Sequence, residues 1–179
     1  MTLQAAVAEA VFVLGFESNG DKVKSASFAP MLNNVNGTQW GYNLINFDSS
    51  RLFALPSYYM QQMYREAAGE FLLKSTLSSA GVIMATAAAQ GSDLVLKFAC
   101  YSPNATDLSI SLSGFTEVAQ TSAPATLQIL SSAAGATAGN SLTNPTAVAP
   151  TTTAVKTGAS FDLLLPAWSI AVLRIPGAV

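Results

Sequence analysis

The chain has 179 residues, enough for one domain with a substantial hydrophobic core but a tight fit for two complete domains. Hydrophobic residues make up 50% and charged residues only 10% of the sequence, and the formal net charge is −2. This composition excludes the basic surface that nucleic-acid binding needs. The mean hydropathy of +0.38 is high, yet no apolar run approaches the roughly 20 residues of a membrane-spanning helix, and no signal peptide is recognised.

Histidine is absent, and the sequence has one cysteine, Cys100. A lone cysteine cannot form an internal disulfide, and we expect Cys100 to be an inert core residue in an apolar strand. Without histidine the commonest ligand of zinc and most transition metals is missing, so no metal site and no cofactor are expected. The same absence excludes Ser-His-Asp and Cys-His catalysis. Enzymatic chemistry in this chain would have to use carboxylates.

The first predicted element is a helix over residues 3–16, which is apolar nearly all round, as in a helix buried on several sides. Asn19-Gly20 ends it with a left-handed cap or a turn. Residues 23–32 (VKSASFAPML) are short and mostly apolar, and they predict a buried strand with Pro30 near its end. A helix followed by a strand indicates an α/β unit.

A second helix is predicted to open at Pro56-Ser57, with Ser57 as the N-cap and Gly69 just past its end. Its tyrosines and methionines form pairs four residues apart that would cover a core face, while Gln and charged residues supply the wetter side. A packed amphipathic helix is favoured over any cofactor role for the aromatic residues.

From about residue 72 the sequence turns to short alternating runs: LVLKFACY (94–101), LSISLSGF (108–115), ATLQILSS (125–132) and the two halves of FDLLLPAWSIAVLRI (161–175). This pattern is typical of strands and predicts an antiparallel sandwich. Residues 133–155, rich in small residues, are predicted to be a long loop. The chain is therefore divided into a helix–strand–helix unit, residues 1–69, and a β-sandwich domain, residues 70–179. The first unit is incomplete, since one parallel strand between two helices leaves its edges bare.

Several motifs, in order along the chain, resemble one enzyme family. AEAVFVLGFESNGDKVKSASFAPMLNNVN (8–36) is similar to a helix, a Gly-Leu-Glu-Arg-Asn turn and an Ala-Ser-Tyr-Ala-Pro strand. LINFDSSRLFALPSYYMQQMYREAAG (44–69) is similar to Phe-Asp-x-Ser-Arg and Pro-Ser-Tyr-Tyr segments. NSLTNPTAVAP (140–150) and LPAWSIAVLRI (165–175) are similar to a later loop and to a closing hairpin. Together they resemble the C-terminal part of a plant or fungal α-L-arabinofuranosidase of glycoside hydrolase family 51.

The resemblance implies a (β/α)8 barrel followed by a jelly-roll-like sandwich, with this chain supplying only the last turn of the barrel. The expected fold is therefore mainly β, a C-terminal jelly-roll-like β-sandwich preceded by a helix–strand–helix barrel remnant. Residues 23–32 would be the eighth barrel strand. Because loops at the C-terminal ends of barrel strands build the active site, residues 33–48 would lie on the catalytic face.

The resemblance also implies a retaining hydrolase with two catalytic glutamates, which should lie about 5–5.5 Å apart. Both would precede Met1, so no catalytic residue is assigned, and we expect the chain alone to be inactive. Glu9 falls on the first helix, Glu17 near its end and Asp48 in the loop. Glu66 and Glu70 read as a solvated pair of like charges. The chain would be a fragment, a truncated gene model or a degenerate copy.

Substrate contacts are predicted in the loop that follows the strand. Asn34 and Asn36 match the family's Asn-x-Asn, and Trp40 is a candidate for stacking on a sugar ring. The alternative is that the asparagines make turns and that Trp40 is a packed anchor, and this alternative is favoured. Asn36-Gly37-Thr38 and Asn104-Ala105-Thr106 are N-glycosylation sequons.

By resemblance, the partner would be an arabinose-containing polysaccharide or oligosaccharide, and the location extracellular or in the secretory pathway. Two other classes stay open. A sandwich module that binds carbohydrate or protein without chemistry would need an exposed row of aromatics, and the candidates are Phe98, Tyr101, Phe115, Phe161 and Trp168. A subunit or scaffold would use the unpaired barrel strand for self-association.

Overall fold

The computed structural model describes residues 1–37, 40–78, 81–115 and 124–179. The helices are α1 (Leu3–Ser18) and α2 (Pro56–Glu66). The strands, in chain order, are β1 (Leu32–Asn34), β2 (Ile45–Phe47), β3 (Leu52–Ala54), β4 (Phe71–Leu73), β5 (Ile83–Gln90), β6 (Asp93–Cys100), β7 (Thr106–Ser111), β8 (Ala125–Leu130), β9 (Thr151–Val155), β10 (Ser160–Leu165) and β11 (Ser169–Ile175). The predicted mainly β class is confirmed. Of the helices in the described ranges, neither could cross a membrane.

The second half of the chain forms the expected antiparallel β-sandwich. Its larger sheet has the order β4-β5-β6-β11-β8-β9, and β7 pairs with β10 in a second sheet. Alternate residues of β6 (Leu94, Leu96, Phe98 and Cys100) belong to the core cluster that also contains Leu108 of β7 and Leu163 and Leu165 of β10. The period-2 alternation of the strands therefore places one face of the larger sheet against the smaller sheet.

The opposite face of the larger sheet is covered by the two helices. Val95 and Ala99 of β6 and Ile170 and Val172 of β11 share a second core cluster with residues of α1 and α2. Three layers result: helices, the six-stranded sheet and the two-stranded sheet. Because both faces of the middle layer are covered, β6 is buried along nearly its whole length.

Helix α1 begins at Thr2, whose side-chain oxygen accepts a hydrogen bond from the backbone N–H of Ala5 at 3.3 Å. One stripe of α1 is fully buried against the sheet and α2 and consists of Leu3, Ala6, Val7, Ala10 and Leu14. The prediction of a helix is confirmed, but burial on several sides is wrong. Phe12 is 69% exposed, because nothing in the described chain covers that side of α1.

The prediction of a buried strand over residues 23–32 is wrong. Only Leu32 belongs to a strand, β1, and most residues from 23 to 32 are exposed. Among the described residues, the backbone of 24–30 forms no hydrogen bond to another backbone group. A strand exists only when a neighbour satisfies its backbone groups, and the described part of the chain provides β2 as a neighbour for β1 alone.

Helix α2 covers the core as predicted, with Met60, Met63 and Tyr64 buried. The expected N-cap at Ser57 is wrong: Leu55 holds that position without a side-chain cap, and Pro56 opens the helix. Ser57 is fully buried, and its hydroxyl donates a weak bond to Met1 Sδ at 3.7 Å. Ser57 is therefore a buried side chain in the first turn of α2 and not its cap.

The sequence pattern predicted neither β5 nor β9. β5 is alanine-rich and buried on both faces, so it lacks the apolar/polar alternation of a half-buried strand. The predicted loop 133–155 is wrong at its end, since β9 occupies its last five residues and pairs with β8. Threonine is β-branched and fits a pleated edge strand once a neighbour is present. Gly69 lies so close to β5 that a Cβ at this position would clash with Ala88.

Candidate substrate-binding loop

The loop after β1 is built by a parallel strand pair. β1 runs parallel to β2, with Asn34 opposite Phe47. At the end of β1, Val35 N–H donates to Phe47 O at 2.9 Å and Gly37 N–H donates to Asn34 O at 3.1 Å. The chain therefore turns directly after the strand. Residues 38 and 39 lie outside the described ranges.

Three of the five asparagines in this region are buried and bond to one another. Asn33 Nδ2 donates to Asn46 Oδ1 at 2.7 Å, and Asn46 Nδ2 donates to Asn43 O at 2.9 Å. Asn43 Nδ2 donates to Leu32 O at 2.7 Å. These amide hydrogen bonds connect residues on both sides of the loop. Sequence reasoning did not separate them from the outward-facing pair.

Asn34 and Asn36 are the exposed asparagines. Asn34 Oδ1 accepts a hydrogen bond from the backbone N–H of Asn36 at 3.1 Å, the geometry of an Asx-turn. The turn interpretation of Asn34 is therefore confirmed by its geometry. Both side chains still lie at the surface of the loop, and a role in sugar binding remains a prediction.

Trp40 is 68% exposed, so its interpretation as a packed anchor is wrong. Tyr42 is 66% exposed in the same loop, and sequence reasoning missed it. The sequence does carry a signal for Tyr42, because WGY places one aromatic ring on each side of a glycine within a polar loop. Amphipathic rings displayed at a surface are suited to contact sugar rings or other apolar groups.

The turn after β2 is held by Asp48. Its Oδ1 accepts from the backbone N–H groups of Ser50 and Arg51, each at 2.8 Å, and its Oδ2 accepts from Arg51 Nη2 at 2.8 Å. These hydrogen bonds, from Ser50 first and then Arg51, hold the pKa of Asp48 far below its usual range. Both carboxylate oxygens of Asp48 therefore accept from donors of this turn, which supports a role for Asp48 in holding the turn.

Of the other acidic residues considered above, Glu9 and Glu17 bond to side chains of this chain, and Glu66 and Glu70 face solvent. Glu9 Oε1 accepts from Gln61 Nε2 at 2.6 Å. Glu17 forms an ion pair with the buried Lys97 and accepts from Thr86 Oγ1 at 2.8 Å. Glu66 and Glu70 are exposed, as expected. Over residues 1–37, 40–78, 81–115 and 124–179, no cluster of three or more Cys, Asp or Glu could hold a metal ion.

The remaining predicted positions lie at the surface or in the core. Asn104 is exposed in the turn after β6, where its N–H donates to Ser102 Oγ at 3.1 Å. Asn36 is exposed, but Thr38 of its sequon lies outside the described residues. Cys100 is fully buried, as expected. Of the candidate aromatics of a binding module, Phe98 is buried, Phe115, Phe161 and Trp168 are half-buried, and Tyr101 is 39% exposed.

Comparisons with known proteins agree with one another. The family model described as the α-L-arabinofuranosidase C-terminal domain matches residues 1–169. The probable α-L-arabinofuranosidase A of Aspergillus terreus is 37% identical over 96% of this chain, and the α-L-arabinofuranosidase A of Aspergillus niger is 33% identical over 96%. In both, the match spans 26% of the relative, so this chain has about a quarter of their length.

Solved structures give the same result. An arabinose-bound family 51 α-L-arabinofuranosidase superposes on 98% of this chain with a TM-score of 0.89 and 32% identity, and the match spans 28% of that enzyme. The α-L-arabinofuranosidase of Thermotoga maritima shares the fold, with a TM-score of 0.83 at 18% identity. The chain therefore belongs to the α-L-arabinofuranosidase C-terminal domain family and corresponds to the C-terminal part of a family 51 enzyme.

Proposed function

We propose that the chain serves as the C-terminal segment of an enzyme that hydrolyses terminal non-reducing α-L-arabinofuranosyl residues of arabinan and arabinoxylan side chains, with retention of configuration. The observation that carries this proposal is the family match over residues 1–169. The superposition with an arabinose-bound enzyme at a TM-score of 0.89 supports it. Because these substrates are cell-wall polysaccharides, the proposed location is extracellular or in the secretory pathway.

The chain alone is proposed to be inactive. Retaining hydrolysis needs two carboxyl groups about 5–5.5 Å apart, one acting as nucleophile and the other as acid and base. The surroundings of Asp48 and Glu17 support this proposal, since each carboxylate is engaged by a cationic side chain of this chain. The catalytic pair would come from the upstream part of a complete enzyme.

The loop after β1 is proposed to contribute to the substrate site. Asn34 and Asn36 would donate to and accept from sugar hydroxyls, because an amide offers both functions. Trp40 would stack on a ring, and its exposure supports this role. The buried asparagine network would keep the loop in a fixed position without contacting the sugar.

The test uses two proteins: this chain alone, and a full-length chimera in which the chain replaces the matching segment of the Aspergillus terreus relative. We expect arabinose release from aryl arabinofuranosides and arabino-oligosaccharides by the chimera and none by the chain. In the chimera, Trp40→Ala should raise KM, while Leu164→Ala, an exposed position on β10, should change nothing. Arabinose release by the purified chain alone, or a folded chimera without activity, would contradict the proposal.

A further inference from the structure

The chain crosses from one sheet of the sandwich to the other at residues 101–105, which we name the sandwich corner. β6 ends in the six-stranded sheet, and β7 begins in the two-stranded sheet. Two backbone hydrogen bonds anchor the corner: Tyr101 N–H donates to Val82 O at 2.7 Å, and Trp168 N–H donates to Ser102 O at 3.0 Å. The start of the corner is therefore held against the segments that precede β5 and β11.

An aromatic pair lies at the start of the corner. The rings of Tyr101 and Trp168 meet edge to face, with centroids 4.6 Å apart and an angle of 80° between the ring planes. The Tyr101 hydroxyl accepts a hydrogen bond from Gln4 Nε2 at 3.0 Å. These two contacts orient the Tyr101 ring, yet 39% of the residue is exposed. A ring held at the surface in one orientation can pack on the C–H face of a sugar at little cost in conformational entropy.

Asn104 lies in the exposed part of the same corner. Its backbone N–H donates to Ser102 Oγ at 3.1 Å, so the Ser102 side chain closes a turn over residues 102–104. The side-chain amide of Asn104 has no hydrogen-bond partner in residues 1–37, 40–78, 81–115 and 124–179. The turn therefore engages the backbone of Asn104 and leaves its amide available to carry a substituent.

The sequence around Asn104 permits such a substituent. Asn104-Ala105-Thr106 is an N-glycosylation sequon, and the Thr106 hydroxyl donates to Asn104 O at 3.4 Å. A separation of three residues keeps the Cα atoms of Tyr101 and Asn104 within about 11 Å of each other, and the turn shortens this distance. A sugar linked to Asn104 Nδ2 would therefore reach the Tyr101 ring.

We propose that Asn104 carries an N-linked glycan and that the Tyr101–Trp168 pair packs against its first N-acetylglucosamine. The sugar covers the aromatic pair and stabilises the sandwich corner. A free sugar or oligosaccharide is the competing occupant. This inference rests on the secretory location in the proposed function, because sequons are modified in that pathway.

The transfer that attaches the glycan uses a lipid diphosphate-linked oligosaccharide as donor. Asn104 Nδ2 forms a bond to C1 of the first sugar. The bond from C1 to the diphosphate oxygen breaks, and its electron pair leaves with the lipid diphosphate. The amide loses one proton, so the step needs no oxidant or reductant.

The first measurement is the occupancy of Asn104 in the full-length chimera described above, expressed through the secretory pathway of yeast. Removal of N-glycans by an amidase converts each glycosylated asparagine into aspartate, so peptide mass spectrometry identifies the modified residue. We expect this conversion at Asn104. In the Asn104→Gln variant, the intact mass should fall by one glycan.

The second measurement tests the packing through hydrogen exchange of the Trp168 amide, which is bonded to the corner and lies in a peptide without the glycan. This amide should exchange about 2- to 10-fold more slowly in the glycosylated chimera than in Asn104→Gln, the range expected from the strength of aromatic packing. Trimming the glycan to its first sugar should preserve the protection, because only that sugar touches the ring.

Tyrosine variants separate the ring from other effects of the glycan. Tyr101→Leu should abolish the difference in exchange between the glycosylated chimera and its Asn104→Gln variant. Tyr101→Phe keeps the ring and loses the bond to Gln4, so it should preserve the difference. Tyr42→Leu is the matched control, since Tyr42 is an exposed loop tyrosine with no sequon after it, and it should also preserve the difference.

Each outcome decides the proposal. A secreted, active chimera without a glycan on Asn104 would refute this inference and leave the proposed function standing. Equal protection by the glycan with and without the Tyr101 ring would overturn the packing. Slower Trp168 exchange in Asn104→Gln on addition of free N-acetylglucosamine or arabino-oligosaccharide would assign the aromatic pair to an external sugar and overturn the inference. A glycosylated chimera with ring-dependent protection but no activity would support this inference and contradict the proposed function.

Discussion

The sandwich and the N-terminal region have similarly apolar sequences but different degrees of closure. In the sandwich, strands far apart in sequence pair with one another, as β6 pairs with β11, and the core residues between the sheets are almost completely buried. In the N-terminal region, α1 is buried along one stripe only, and Phe12, Met31 and Leu32 are each more than half exposed. Apolar composition is thus sufficient for a core only where the chain also supplies the neighbouring layer.

This difference shows that an apolar segment is buried only where other segments of the chain pack against it. Residues 24–30 of the predicted strand have no backbone partner in the described part of the chain, whereas the threonine-rich β9 becomes a strand because β8 offers backbone groups. Apolar side chains that stay exposed around α1, such as Phe12, Met31 and Phe71, contribute to the high mean hydropathy of the chain.

The largest expected effect is a difference in the free energy of unfolding between alanine substitutions of a buried leucine and of an exposed phenylalanine. Leu173, in β11, is completely buried between the sheets, whereas Phe12, on α1, is 69% exposed. Leu173→Ala should reduce the free energy of unfolding by about 3–4 kcal/mol, through lost transfer energy and a residual cavity. Phe12→Ala should change it by less than about 0.5 kcal/mol, as is usual at exposed positions. Urea unfolding measures both, and comparable losses would remove the distinction between the regions.

A second prediction concerns the ion pair that joins the regions. Lys97 of β6 is 3% exposed and pairs with Glu17 at the end of α1, which is 21% exposed. Its Nζ also lies 5.8 Å from the centre of the Tyr64 ring. Glu17→Leu should cost about 3 kcal/mol of unfolding free energy, because it leaves the Lys97 ammonium buried without its carboxylate. Glu17→Leu combined with Lys97→Met should recover most of that loss.

The Tyr64 phenol provides an independent check on the pair. Burial, and then the negative charge of Glu17, raise the pKa of Tyr64 well above its ordinary value. Spectroscopic titration of Glu17→Leu should therefore show ionisation of this tyrosine at lower pH than in the unmodified chain. If the double variant is no more stable than Glu17→Leu, the ion pair is not the main link between α1 and the sheet.

The smallest expected effect is local and depends on pH. The hydrogen bonds of Asp48 lower its pKa below the ordinary value of 3.8, so its stabilising contribution is complete above that value and fades as pH falls below it. Asp48→Asn should lower Tm slightly and by a constant amount from about pH 6 to 8, and the difference should shrink below about pH 4. Thermal melts across this range measure it, and a difference independent of pH would assign the effect to the lost shape of the turn.

Much of the fold follows from local pattern. The two helices and the strands β6, β7, β8, β10 and β11 were predicted from apolar and alternating sequence patterns. β5 escaped because burial on both faces removes alternation, and β9 because threonines between proline and small residues resemble a loop. The domain division at residues 69 and 70 remains a prediction, and the shared core of helices and sheet joins the two parts closely.

The candidate substrate-binding loop was likewise only partly predictable from the sequence. The sequence pointed to the asparagine-rich loop and named Asn34, Asn36 and Trp40, but it did not distinguish exposed from buried amides. Asn33 and Asn46 meet only because β1 and β2 are parallel and in register, a contact between residues 13 apart that no local spacing reveals. The exposure of Trp40 likewise depends on what the rest of the chain does not cover.

By itself, the sequence determined the absence of histidine chemistry, the mainly β class and the family, because composition, alternation and ordered motifs are carried by the residues directly. Only the tertiary structure decided which apolar face of α1 is buried and that, among the described residues, the backbone of 24–30 has no backbone partner and Glu9 Oε2 has no donor. The physical reason is that burial and hydrogen bonding are relations between distant segments, and they are settled by the neighbours that the folded chain brings together.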